Sequence, residues 1–191
     1  MELIAIGFGA ILVNNVLLSQ FLGICSFMGV STKKSDALGM SFAVIFVLML
    51  ASAITWVLYN LVLIPAGISY LYLIVFILVI ATLVQFVEMV LKKYIQGLYK
   101  VLGIYLPLIT TNCAILGVAT SNMQNGYDFV TSMVYALCIG IGYLLVMYLF
   151  AGIRERLATA PIAKPFKGIA IALLLAGCMA MAFQGFAGIL A

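Results

Sequence analysis

The sequence predicts an all-α integral membrane protein of six transmembrane helices, arranged as two inverted three-helix repeats with broken helices near Cys25 and Cys113. Three observations lead there. Of the 191 residues, 67% are apolar and 7% charged, and the mean hydropathy is +1.33, too high for an ordinary water-soluble domain. The apolar runs last about twenty residues, the length a helix needs to cross a ~30 Å hydrocarbon core, whereas barrel strands alternate over ~10 residues. One short pattern also occurs twice, as Cys25-Ser-Phe-Met-Gly29-Val30 and Cys113-Ala-Ile-Leu-Gly117-Val118.

The spans fall at roughly 5–28, 38–60, 69–91, 101–121, 130–151 and 169–190. They make one transmembrane domain over 1–191, with a first repeat of about 1–95 and a second of about 96–191. Met1-Glu2-Leu3-Ile4 runs into the first span without a basic leader region or a small-residue cleavage site, so that span is expected to be retained. The loops are sharply asymmetric. All nine basic residues follow spans one, three and five: Lys33 and Lys34; Lys92, Lys93 and Lys100; Arg154, Arg156, Lys164 and Lys167. The loops around Pro65-Ala-Gly67 and Asn122-Met-Gln-Asn-Gly126 carry none, which places the basic loops in the cytoplasm and both termini outside it. This topology accounts for the net charge of +4 and gives no reason to invoke nucleic acid.

The two cysteine patterns lie 88 residues apart, a shift that lays spans one to three on spans four to six. With an odd number of spans per half, the second half enters the membrane from the opposite side, as in inverted-repeat transporters. Counting from Lys33 and Lys100 at 1.5 Å per residue puts Cys25 and Cys113 roughly 12 Å and 20 Å from the cytoplasmic boundary, bracketing the midplane. Helix-weakening residues surround both: Gly23 and Gly29 at the first, Gly103, Pro107 and Gly117 at the second. Asn14, Asn15, Thr110, Thr111 and Asn112 can bond backbone groups freed by a break, or they can serve helix packing alone.

Four cysteines in a membrane interior do not make a disulfide scaffold, which leaves free thiols or metal ligands. Cys138 and Cys178 share no frame and read as small packing residues. Cys25 and Cys113 share theirs, but two thiolates are too few to enclose a structural zinc or an iron-sulfur cluster, so a second chain has to supply the rest. With no His and five acidic residues, the chain offers no hydrolytic triad, Walker loop or dinucleotide fingerprint, and is not catalytic on its own. Glu88 is the one acid within a span. It is either part of an ion or proton path or an i,i+4 partner of Lys92 reaching the interface.

Longer motifs carry a resemblance. Phe21-Leu-Gly-Ile-Cys25-Ser-Phe-Met-Gly-Val-Ser31, Gln85-Phe-Val-Glu88-Met-Val, Leu102-Gly-Ile-Tyr-Leu-Pro-Leu-Ile-Thr-Thr-Asn-Cys113-Ala-Ile-Leu-Gly-Val118 and Ile153-Arg-Glu-Arg-Leu157 resemble the RnfA/RsxA/NqrE family almost end to end. The Thr-Thr-Asn-Cys and Phe-Met-Gly-Val versions favour its Rnf side. The resemblance implies a membrane subunit of the bacterial inner-membrane Rnf complex, a translocase that couples ferredoxin:NAD oxidoreduction to Na+ or H+ movement. It implies pairing with a homologous subunit of RnfE type, and assembly with B, C, D and G types. It further implies a [2Fe-2S] cluster with two ligands from each member of that pair, the matching positions here being Cys25 and Cys113. Glu88, Asn14, Asn15, Thr111 and Asn112 are the candidates for an ion path, because ions need polar groups to cross an apolar wall. A secondary transporter or scaffold is the competing reading, motivated by the repeat and the broken spans.

Overall fold

The computed structural model describes residues 7, 9–13, 15–31, 33–67, 69–94, 106–159 and 168–187. The described residues are helical, without strands. A π-helical turn, Gly9–Val13, leads through a series of turns to α1 (Ile24–Val30) and then α2 (Lys34–Leu58). The axis of α2 continues through a π-turn, Tyr59–Leu63, and a last turn, Ile64–Ala66. There Gly67, at φ 66°, closes it by donating its N–H to the Ile64 carbonyl at 3.2 Å. Next come α3 (Tyr72–Tyr94), α4 (Leu106–Thr110), α5 (Cys113–Gln124), α6 (Phe129–Ala158) and α7 (Ile169–Ala187). Both halves therefore follow one order: a broken segment, a long helix, a further helix.

Three of these are long and apolar enough to cross a membrane: Lys34–Leu63, Tyr72–Val90 and Phe129–Ala158. They correspond to the second, third and fifth expected spans. The first and fourth expected spans are each divided into short helices, and the apolar part of α7, Ile169–Gly185, is shorter than the other three. A 30-residue helix such as α6 extends about 45 Å, well beyond a ~30 Å core. Lys34, Lys92, Lys93, Arg154 and Arg156, read from sequence as loop residues, consequently sit on helix ends.

α2 and α6 pack along their length and form the centre of the core. Met40, Val44 and Leu48 face Ile139, Tyr143, Val146, Met147 and Phe150 in a cluster from which solvent is excluded. Phe150 also meets Phe27 of α1 with ring centroids 3.9 Å apart, which anchors that short helix to α6. On α3, Phe76, Ile80 and Val84 repeat every four residues and are buried, while Ile74, Ile77, Leu78, Phe86 and Met89 point outward. An outer face this apolar is costly in water and costs nothing against lipid tails.

Candidate functional site

The site is built from the two helix breaks. At the first, Asn15 ends the π-helical segment and is 2% exposed. Its amide nitrogen donates to the Ile11 carbonyl and, across to α6, to the Gly142 carbonyl, each at 3.1 Å. Its amide oxygen accepts from the Leu17 N–H at 3.1 Å. One side chain thus bonds two backbone groups at the interruption, the Ile11 carbonyl and the Leu17 N–H, and ties them to the carbonyl of Gly142 inside α6. The approach needs Gly142: a Cβ there would lie 3.0 Å from both the Asn15 amide nitrogen and the Ile11 carbonyl oxygen. The chain then turns through Phe21 at φ 55° and Gly23 at φ 85°, two left-handed residues that redirect it into α1.

The second break is smaller. Asn112 donates its N–H to the Ile109 carbonyl at 3.1 Å, closing α4, and its side-chain oxygen accepts from the Ala114 N–H at 3.1 Å, opening α5. This is an N-cap bond, the ordinary use of Asn at a helix start. Cys113 is therefore the first residue of α5, and Cys25 is the second residue of α1.

The breaks meet. The Gly23 N–H donates to the Cys113 thiol sulfur at 3.3 Å, across 90 residues of sequence. Gly23 is also pressed against the second break, where a Cβ would come 2.9 Å from the Asn112 amide oxygen and 3.4 Å from the Ala114 Cβ. Cys25, two residues further on, is exposed, and Cys113 is half-buried, so both thiols belong to an accessible edge of the bundle. The Asn112 amide nitrogen beside them is buried and makes no hydrogen bond among the described residues.

α1 is held from behind by α6. Ser26 donates to the Gly23 carbonyl at 2.9 Å and stands 2.9 Å from the Tyr143 hydroxyl. At its other end, Arg154 donates from Nη1 to the Met28 carbonyl and the Ser31 hydroxyl, both at 2.8 Å. Beyond that, Lys34 and Glu155 pair at 3.0 Å on the exposed surface.

This donor set suits half of a four-thiolate centre. Thiolates are soft ligands appropriate to iron-sulfur groups, and a backbone N–H aimed at one of the sulfurs stabilises its negative charge. No group of three or more His, Cys, Asp or Glu side chains comes together among the described residues. Any such centre here needs further ligands from another chain. Cys138, half-buried on α6, and Cys178, exposed on α7, are free thiols outside the pair.

Among the other sequence-derived candidates, Asn15 and Asn112 lie at the breaks with structural bonds, and Thr111 is exposed beside Asn112. Glu88 is half-buried on α3, which packs against α4 and α5. Asn14 lies outside the described residues.

A family description, Rnf-Nqr subunit, membrane protein, matches residues 3–190. The chain belongs to the Rnf-Nqr family. Its Rnf-Nqr relatives include the A-type subunit of the ion-translocating oxidoreductase complex of Syntrophotalea carbinolica, 55% identical over 188 residues, or 98% of this chain and 97% of that one. The subunit of the same name from an Azoarcus species is 55% identical over 181 residues, covering 95% and 94% of the two chains. The A-type subunit of the Na(+)-translocating ferredoxin:NAD(+) oxidoreductase complex of Acetobacterium woodii is 54% identical over 188 residues, 98% of each chain. The Rnf-side resemblance of the cysteine-bearing motifs agrees with these matches.

In this Rnf-Nqr chain, sequence reasoning missed Ser26, Tyr143 and Arg154. Arg154 carried a signal only for topology, and Tyr143 looks like any core aromatic until Ser26 is brought to it.

Proposed function

We propose that this chain is a membrane subunit of an ion-translocating oxidoreductase complex, in which it relays electrons at the bilayer midplane. Cys25 and Cys113 hold one half of a [2Fe-2S] cluster, and a homologous RnfE-type subunit holds the other. When bound, the cluster supplies one-electron transfer. The chain's own part is to present two thiolates on a rigid edge, with the Gly23 N–H bonded to one of them. Six spans in two inverted repeats, in a bacterial inner membrane with both termini outside the cytoplasm, fit the order of elements and the basic helix ends. Other subunits of B, C, D and G type carry the ferredoxin and NAD chemistry, in keeping with a sequence that has no dinucleotide fingerprint.

The observation that carries this reading is the contact between the two cysteine-bearing breaks through the Gly23 N–H and the Cys113 sulfur. The names of the relatives supply the complex and its reaction class. The test is electron paramagnetic resonance on the purified complex: Cys25→Ala and Cys113→Ala each abolish a [2Fe-2S] signal. An unchanged spectrum in both variants rejects the reading. An iron-free complex whose ion flux survives both substitutions establishes a secondary transporter instead.

A further inference from the structure

The short helix that carries Cys25 is held at its far end by a charge. Arg154, half-buried on α6, gives its hydrogen bonds among the described residues to two neutral oxygens, the Met28 carbonyl and the Ser31 hydroxyl, both at 2.8 Å. Its neighbour Glu155 pairs instead with Lys34, at 3.0 Å on the exposed surface. The guanidinium is therefore not neutralised by a carboxylate among the described residues. The seam it enters is closed to solvent: Ser31 is fully buried, and Phe27 and Val30 of α1 and Phe150 and Ala151 of α6 are buried as well.

Met28 lies three residues beyond Cys25 on α1, about 4.5 Å along the helix axis. Helix carbonyls point toward the C-terminus, so the Met28 carbonyl and its 2.8 Å bond continue away from Cys25 and leave the charge roughly 10 Å from that residue. Met28 is among the last four residues of α1, whose carbonyls have no partner within the helix, and capping one of them is a structural role for Arg154. Capping needs a donor and not a charge. A charge held this near in a closed seam acts on the thiolates as well, whatever it caps.

We infer that the Arg154 charge raises the reduction potential of the centre held by Cys25 and Cys113, an inference that rests on the function proposed above. Each electron taken up there, delivered by the neighbouring carriers of the complex, adds one negative charge, and a fixed cation nearby favours the reduced form over the oxidised one. At an effective dielectric constant of ~20, a unit charge roughly 10 Å away shifts a one-electron equilibrium about tenfold. Lys33 and Arg156 carry the same charge on exposed side chains, where water and salt screen it. Arg154 thus tunes the relay without touching it.

The experiment is a redox titration of the purified complex in nanodiscs, with the [2Fe-2S] signal followed by electron paramagnetic resonance. Arg154→Gln removes the charge, and the midpoint potential falls by ~59 mV, the equivalent of tenfold for one electron. Ser31→Asp leaves the guanidinium in place and sets a carboxylate against it, so the potential falls as far, and this variant decides the matter even if Arg154→Gln does not assemble. Arg154→Lys keeps the charge and with it the wild-type potential, although losing the planar fork lowers the thermal midpoint of the complex. Arg156→Gln, an equal change of net charge at an exposed position, leaves the potential at the wild-type value. An unshifted potential in Arg154→Gln or Ser31→Asp overturns the inference, as does a fall in Arg154→Lys equal to that in Arg154→Gln, which makes geometry and not charge the cause. A wild-type complex without a [2Fe-2S] signal overturns the relay and this inference together, whereas a normal signal with an unshifted potential overturns the charge effect alone.

Discussion

The hydroxyls of Ser26 and Tyr143 meet at 2.9 Å in the core, and because Ser26 gives its proton to the Gly23 carbonyl, the phenol is the donor. One bond therefore ties the turn before Cys25 to the middle of α6.

Tyr143→Phe keeps the ring packing and removes that donor. The expected cost is about 1 kcal/mol, read as a lower thermal midpoint of the purified complex. Tyr148→Phe, on an exposed ring of the same helix, leaves the midpoint at the wild-type value.

Gly23→Ala meets two obstacles. A left-handed residue with a Cβ costs roughly 1–2 kcal/mol, and the new carbon would lie 2.9 Å from the Asn112 amide oxygen. Gly126→Ala, at φ 61° with open space around it, meets the first obstacle alone. Complex yield and iron content should therefore fall much further for Gly23→Ala.

Arg154→Lys replaces a planar fork by a single ammonium and cannot hold the Met28 carbonyl and the Ser31 hydroxyl in the same geometry. Hydrogen bonds to charged groups are worth about 1.5–3 kcal/mol, so a clear fall in the thermal midpoint is expected. Arg156→Lys, two residues on and exposed, should behave as wild type.

Asn15 tests whether a polar residue at a break serves ions or backbone. Asn15→Ala removes the bonds to the Ile11 and Gly142 carbonyls and takes the acceptor from the Leu17 N–H, and Asn15→Asp keeps an acceptor but loses both donors. Both variants should destabilise the complex, each lost hydrogen bond costing about 0.5–1.5 kcal/mol. The half-saturating Na+ concentration of the surviving activity should stay unchanged.

Much of the architecture was legible in the sequence because lipid imposes a simple rule: long apolar runs become helices, and their interruptions must be locally satisfied. The long helices follow from run length, and both cysteine-bearing breaks from the repeated pattern. The causes of the breaks were only half visible. Gly23 does redirect the chain, but Gly29 and Gly117 lie inside helices, and the second break occurs at Thr111-Asn112, where a capping side chain rather than a Gly or Pro sets the new helix start. Helix limits drifted outward because charged residues at the ends continue a helix into the headgroup region. Long-range bonds such as Arg154 to Met28 and Asn122 to Ser52 have no local signature, since each joins residues separated by 70 or more positions.

Tyr143 and Arg154 are eleven residues apart on α6, about three turns, and so share one side of it. Between them they grip α1 at its beginning and its end. Cys25 consequently travels with α6 as one body, and the spacing between the two thiols is governed by how α6 seats against α5. A sub-ångström rocking of that helix pair would change the bite of the cysteines without any loop having to move.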